Sequence, residues 1–91
     1  MLRGDDVKKY IGNENHELIL NEIENGSLDK DNIQKLGIKL DRRLNGVFRE
    51  EYSRGTNLTM IWEKMLDRLI TTNPKKDGPT MLKTAFTEMS R

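Results

Sequence analysis

Cysteine is missing from all 91 positions, which excludes a disulfide framework and thiol chemistry and fits a reducing, cytoplasmic setting. Histidine occurs once, as His16 close to Glu14 and Glu17. Zinc sites draw on several nitrogen or sulfur ligands, so this lone histidine is expected as a surface or partly buried residue and not in a metal site. Neither sign of charge dominates: sixteen Lys and Arg stand against fifteen Asp and Glu, a net charge of +1. A dedicated nucleic-acid binder needs a basic excess to neutralise phosphates, whereas here the signs alternate, as in Lys39-Leu40-Asp41-Arg42-Arg43 and Arg49-Glu50-Glu51. Long apolar runs are lacking too. A membrane-spanning helix takes about 20 apolar residues, and charge interrupts every stretch of this chain within a few positions. The opening Met1-Leu2-Arg3-Gly4-Asp5-Asp6 has no apolar signal-peptide core.

The signatures of catalysis are equally scarce. G-x-G-x-x-G, G-x-x-x-x-G-K-[ST] and G-x-S-x-G do not occur, and no nucleophile stands beside a base. Asp29-Lys30-Asp31-Asn32 begins like a calcium loop but lacks its glycine and closing glutamate. Asp5-Asp6 and Glu50-Glu51 are adjacent pairs, and neighbours on a helix diverge by about 100°. Arg3-Gly4-Asp5 matches an integrin-binding tripeptide without a secretory signal to accompany it. Asn25-Gly26-Ser27 and Asn57-Leu58-Thr59 match glycosylation acceptors but fall where helix ends and caps are expected. The expectation is a protein with no catalytic residues, no cofactor, no metal and no small-molecule substrate.

What the chain does have is phase. Ile33, Leu36, Gly37 and Leu40 fall at i, i+3, i+4 and i+7; Leu44, Val47 and Phe48 restart the pattern. Leu58, Ile61, Trp62, Met65, Leu66 and Leu69 carry it furthest, and Leu82, Ala85, Phe86 and Met89 repeat it. Residues so spaced line one face of a helix, which must be buried against another. The spacing predicts an all-α bundle of five to six short, antiparallel helices in a single domain. Hydrophobic and charged residues each make up 34%, a lean core under a charged surface. A chain of this length buries only roughly 60–65% of its unfolded surface, so stability should be modest.

Local signals place the boundaries. A short helix is expected from Asp5 to about Ile11, with Val7, Tyr10 and Ile11 on one face; the first twelve residues either form it or stay partly flexible. Asn13 or Asn15 would cap a second helix carrying Leu18, Ile19 and Ile23 and ending at Asn25-Gly26. Ser27 or Asp29 would cap the third, ending near Leu40. Asp41 would cap a fourth that contains Leu44, Val47, Phe48 and Tyr52, weakened by Asn45-Gly46 inside it. Asn57 or Thr56 would cap the fifth, Leu58 to about Thr71. Thr72 to Gly78 reads as a loop, and Pro79 as the first residue of the last helix, where its missing N–H costs nothing.

From Ile33 onward the order of features resembles the death domain, a six-helix interaction module of apoptotic and innate-immune signalling. Ile33-x-x-Leu36-Gly37-x-x-Leu40 is similar to that family's W-x-x-L-[GA]-x-x-L, with Ile33 in place of tryptophan. Met65-Leu66-x-x-Leu69 resembles M-L-x-x-W, again without the tryptophan. Gly78-Pro79-Thr80-Met81-Leu82-Lys83-Thr84-Ala85-Phe86 is similar to the family's P-T-x-x-x-L-x-x-A-L segment. The likeness covers about two-thirds of the chain, and the first 26 residues match poorly. Little chain follows Met89 for a further helix, so either the helix count is shifted or the sequence is part of a longer one. The related caspase-recruitment domain fits more loosely, through Leu18-Ile19-Leu20 and Glu24-Asn25-Gly26-Ser27-Leu28.

The resemblance implies a non-enzymatic, cytoplasmic adaptor-like module. Its partner would be another death-fold domain, a copy of itself or a different protein, joined through charged patches on different faces. No family motif singles out the contact residues. Exposed charges flanking the third helix are the candidates, Lys39, Arg42, Arg43, Glu50 and Glu51, with Asp67 and Arg68 late in the long helix and Lys75, Lys76 and Asp77 in the following loop. A small helical nucleic-acid binder is the alternative, with Lys30, Lys35, Lys39, Arg42 and Arg43 as a basic stripe; Asp29, Asp31 and Asp41 interleaved with them oppose it.

Overall fold

The longest apolar stripe becomes the middle of the structure, a computed structural model that describes residues 4–90, with side chains from Asp6 onward. Six helices follow one another: α1 (Gly4–Ile11), α2 (Asn13–Glu24), α3 (Lys30–Leu40), α4 (Leu44–Ser53), α5 (Leu58–Thr72) and α6 (Gly78–Met89). Among the described residues there is no strand. On α5, Ile61, Trp62, Met65, Leu66 and Leu69 are wholly buried, and the helix packs against α1, α2, α3 and α4. Val7 and Ile11 of α1, Ile19 of α2, Ile33 and Leu36 of α3, Leu44 and Phe48 of α4, and Leu82 and Ala85 of α6 complete one shared core. The radius of gyration is 11.9 Å, close to the ~12 Å of a compact domain of this length. No helix among the described residues is long and apolar enough to cross a membrane. Arg3-Gly4-Asp5 lies outside the described side chains.

Two expected caps, Asp29 and Asn57, close their helices, and a third falls to Asp77, which the sequence placed in a loop as a contact charge. The Asn32 N–H donates to the Asp29 carboxylate at 2.9 Å while the Asp29 N–H donates to Asn32 Oδ1, a reciprocal box at the start of α3. Asn57 Oδ1 accepts from the Met60 N–H at 2.9 Å, and Asp77 Oδ1 accepts from the Thr80 N–H at 3.2 Å. Asn25 and Gly26, the latter at φ 87°, end α2 as expected.

Several boundaries differ from the sequence reading. Gly12, at φ 93°, occupies the N-cap of α2, and neither asparagine caps it; Asn15 donates backwards to the Ile11 carbonyl at 2.7 Å. The chain reverses so sharply after α1 that a left-handed residue is needed, and glycine supplies it. Asp41 does not cap α4 directly. Its carboxylate accepts from the Arg43 N–H, its carbonyl accepts from the Leu44 N–H, and the resulting turn delivers Arg43 as the first flanking residue. Gly78 takes the first position of α6 and Pro79 the second. Tyr52, at the end of the α4 stripe, is half exposed; it stacks on Phe48 and carries the Lys30 ammonium 4.9 Å from its ring centre. His16 is buried, and its Nδ1 has no hydrogen-bond partner.

Candidate interaction surface

The ten charged candidates separate into groups with different fates. Glu51 is not an exposed charge: at 8% exposure it sits under the α4–α5 connection, where Thr56 Oγ1 donates to it at 3.0 Å and Arg54 and Lys64 approach at 3.3 and 3.6 Å. Glu50 is exposed and paired with Arg54 at 2.7 Å. Glu50 and Glu51 do come together with Asp67 and Arg68, lining a shallow depression between α4 and α5 with Lys64. Glu51 pairs there with Lys64, whereas among the described residues Asp67 and Arg68 form no ion pair. Asp77 is engaged as the α6 cap, while Lys75 and Lys76 stand exposed in the loop before it.

Arg43 also has an internal task. Its Nε and Nη2 donate to the two carboxylate oxygens of Asp41 at 3.1 and 2.8 Å. Asn73 Nδ2 donates to the same carboxylate at 3.0 Å, and the Tyr10 hydroxyl donates to the Asn73 carbonyl at 2.6 Å. This chain of bonds ties α1, the α3–α4 turn and the end of α5 together. The Arg43 guanidinium holds the Asp41 carboxyl well below the usual carboxylate range; partial burial opposes this, and the Arg43 N–H and Asn73 assist. Burial raises the Tyr10 hydroxyl. Because the Asp41 pKa is lower folded than unfolded, its stabilising effect is complete above the ordinary value of 3.8 and disappears as pH falls through the lower, folded value. Asp41→Ala is therefore expected to lose about 1–3 kcal/mol at pH 7. The deficit should shrink in strong acid, as urea unfolding at pH 7 and pH 2 would show; an equal deficit at both would remove the charge from the explanation.

With Arg43 and Glu51 absorbed, α3 and α2 present charge of opposite sign. The exposed ridge of α3 carries Lys35, Ile38 and Lys39 and continues to Arg42. Ile38 is 38% exposed, and Lys39 makes only a distant 4.0 Å approach to Glu88. Opposite in sign is α2, whose twelve residues include Glu14, Glu17, Glu22 and Glu24 and no Lys or Arg. Among the described residues none of these four glutamates forms an ion pair. Lys8 and Lys9 of α1 adjoin Glu17 across a shallow depression without reaching ion-pair distance.

Between these glutamates Leu18 protrudes, 57% exposed, the most exposed large hydrophobic residue among those described. It stands over an apolar groove between α2 and α6, walled by Ile19, Leu28, Leu82 and Phe86. The sequence reading missed this face. Its signal was present as four glutamates with no compensating cation across one helix, in the stretch where family likeness was weakest.

Among the described residues no group of three or more His, Cys, Asp or Glu side chains is placed to hold a metal ion. No protein-family model matches the chain, and no curated protein or solved structure matches it.

Proposed function

We propose that this chain is a non-catalytic protein–protein interaction module of the death-domain type, acting in the cytoplasm by homotypic association. The observation that carries the reading is the separation of charge: four glutamates on α2 with no ion pair, and Lys35, Arg42 and the weakly paired Lys39 along α3. A net charge near zero combined with oppositely charged faces lets copies attract one another in a fixed orientation. The residues behind the death-domain resemblance support it by their placement. Ile33, Leu36, Gly37, Met65, Leu66, Leu69, Leu82 and Ala85 are all buried, so one core is built from the segments that carry the likeness. Of the sequence candidates, Lys39 and Arg42 remain as contact residues, with Lys75 and Lys76 as exposed additions on the neighbouring loop.

Reversal tests the assignment. Lys35→Glu with Arg42→Glu, or Glu14→Lys with Glu22→Lys, is expected to weaken self-association at least about tenfold, since each places like charges across the contact. Melting should change little, because Glu14, Lys35 and Arg42 are exposed, Glu22 is only half-buried, and none of the four has an ion pair to lose. Arg43 is left intact, as reversing it would set a glutamate beside Asp41. Light scattering across a concentration series reads the result. Unchanged association in both variants would remove these faces from the interface.

A further inference from the structure

The charged faces give attraction, but the apolar residues standing between the charges indicate how the copies seat. Ile38 projects between Lys35 and Lys39, one turn before Arg42. The α2–α6 groove is an apolar trough with Leu18 as its lip and Ile19, Leu28, Leu82 and Phe86 as its walls. Glu22 stands on its α2 rim and Lys83 on its α6 rim. One copy thus presents an aliphatic side chain ringed by cations, and the other an aliphatic trough beside unpaired anions.

We infer that Ile38 of one copy occupies the α2–α6 groove of a second copy, against Leu18 and Phe86. This rests on the homotypic reading above and names its anchor. Lys35, Lys39 and Arg42 then lie toward Glu22 on the α2 rim of the groove. Asp31, the acid at the start of the same ridge, supplies a counterpart for Lys83, so the pairing has a direction along the groove. Leu18 and Ile38 gain what neither has in a single copy, an apolar neighbour on the exposed side.

The two surfaces are different, so the contact is head-to-tail. Helix α3 packs along one flank of α6, while the groove opens between α6 and α2. A copy can therefore insert its own Ile38 and accept another at the same time, and such a contact continues into a ring or an open filament. An arrangement that joined two α2 faces symmetrically would instead bring eight glutamates together.

The absence of cysteine allows a clean test by disulfide trapping. Leu18→Cys and Ile38→Cys each alter an exposed side chain and leave the core intact. Mixed at equal concentration under mild oxidation, the two variants should form a covalent heterodimer at least about tenfold faster than either variant alone. They should also outpace Ile38→Cys mixed with Met60→Cys, a control on an exposed methionine. If wild type associates but the Leu18/Ile38 pair cross-links no faster than the control, the groove assignment is overturned and the homotypic reading stands. Leu18→Cys cross-linking fastest with itself would likewise overturn it, in favour of a symmetric contact. A wild-type chain that stays monomeric at every concentration in low salt would overturn both.

Discussion

Trp62→Ala is expected to lose about 3–5 kcal/mol, the range for removing a large buried aromatic side chain. Trp62 is completely enclosed, on the helix against which four others pack. A 91-residue domain has only about 5–14 kcal/mol in total, so the variant should be partly unfolded at 37 °C and melt more than about 12 °C lower. Size is not the only issue at this position. The indole Nε1 is buried without a hydrogen-bond partner, so part of what tryptophan gains by packing is offset by a desolvated donor. Trp62→Phe removes that donor and keeps most of the ring contact, and it should cost less than half as much as alanine. Circular dichroism melts of the two variants check both expectations. A Trp62→Ala protein that melts like wild type would show the residue to be peripheral.

The second large effect comes from adding an atom. Gly78 begins α6 where that helix meets α1, and a Cβ built on it would run into the backbone carbonyl of Tyr10. Backbone cannot rotate away as a side-chain tip can, so Gly78→Ala must push α1 and α6 apart. Overpacking of this kind costs about 1–3 kcal/mol and more where main chain is displaced; a fall of about 10–20 °C in the melting midpoint is expected. The displacement also strains the bond from the Tyr10 hydroxyl to the Asn73 carbonyl. Gly37 makes the control. A Cβ there would meet the terminal methyl of Met65, the end of a flexible chain that can move. Gly37→Ala should therefore cost clearly less than Gly78→Ala, with some of the loss returned through better helix propensity. Equal melting of the two variants would contradict the close approach of α1 and α6.

Much of this architecture was legible in the sequence, and the reason is local chemistry. A stripe such as Ile61-Trp62-Met65-Leu66-Leu69 has one buried direction, and short polar residues at Asp29 and Asn57 mark the helix starts that follow them; Asp77 does the same for α6 but reads in the sequence as one more loop charge. The failures have equally local causes. Leu18-Ile19-Leu20 spreads three apolar residues over about 200° of helix, so periodicity cannot say which of them faces in; only Ile19 is fully buried. Gly12 as a cap was hidden because Asn13 and Asn15 offered the more usual chemistry. The charged surface was harder to read, because linear alternation of sign says nothing about which charges cancel. Asp41 is taken up by Arg43, and Glu50 and Glu51 by Arg54 and Lys64. What stays uncancelled on α2 and α3 emerges only once those partners are subtracted.

Attraction between opposite faces of identical molecules can be tested by exchanging the faces. Glu14→Lys with Glu17→Lys and Glu22→Lys leaves α2 with three lysines against Glu24, so both faces are basic, and Lys35→Glu with Arg42→Glu leaves two acids against Lys39 on α3, so both are acidic. Molar mass by light scattering, at low and at high salt, should show each variant alone as a monomer. An equimolar mixture in low salt should regain the mass of the wild-type assembly, and high salt should disperse it again. A mixture that stays monomeric while the wild-type chain assembles would contradict the account.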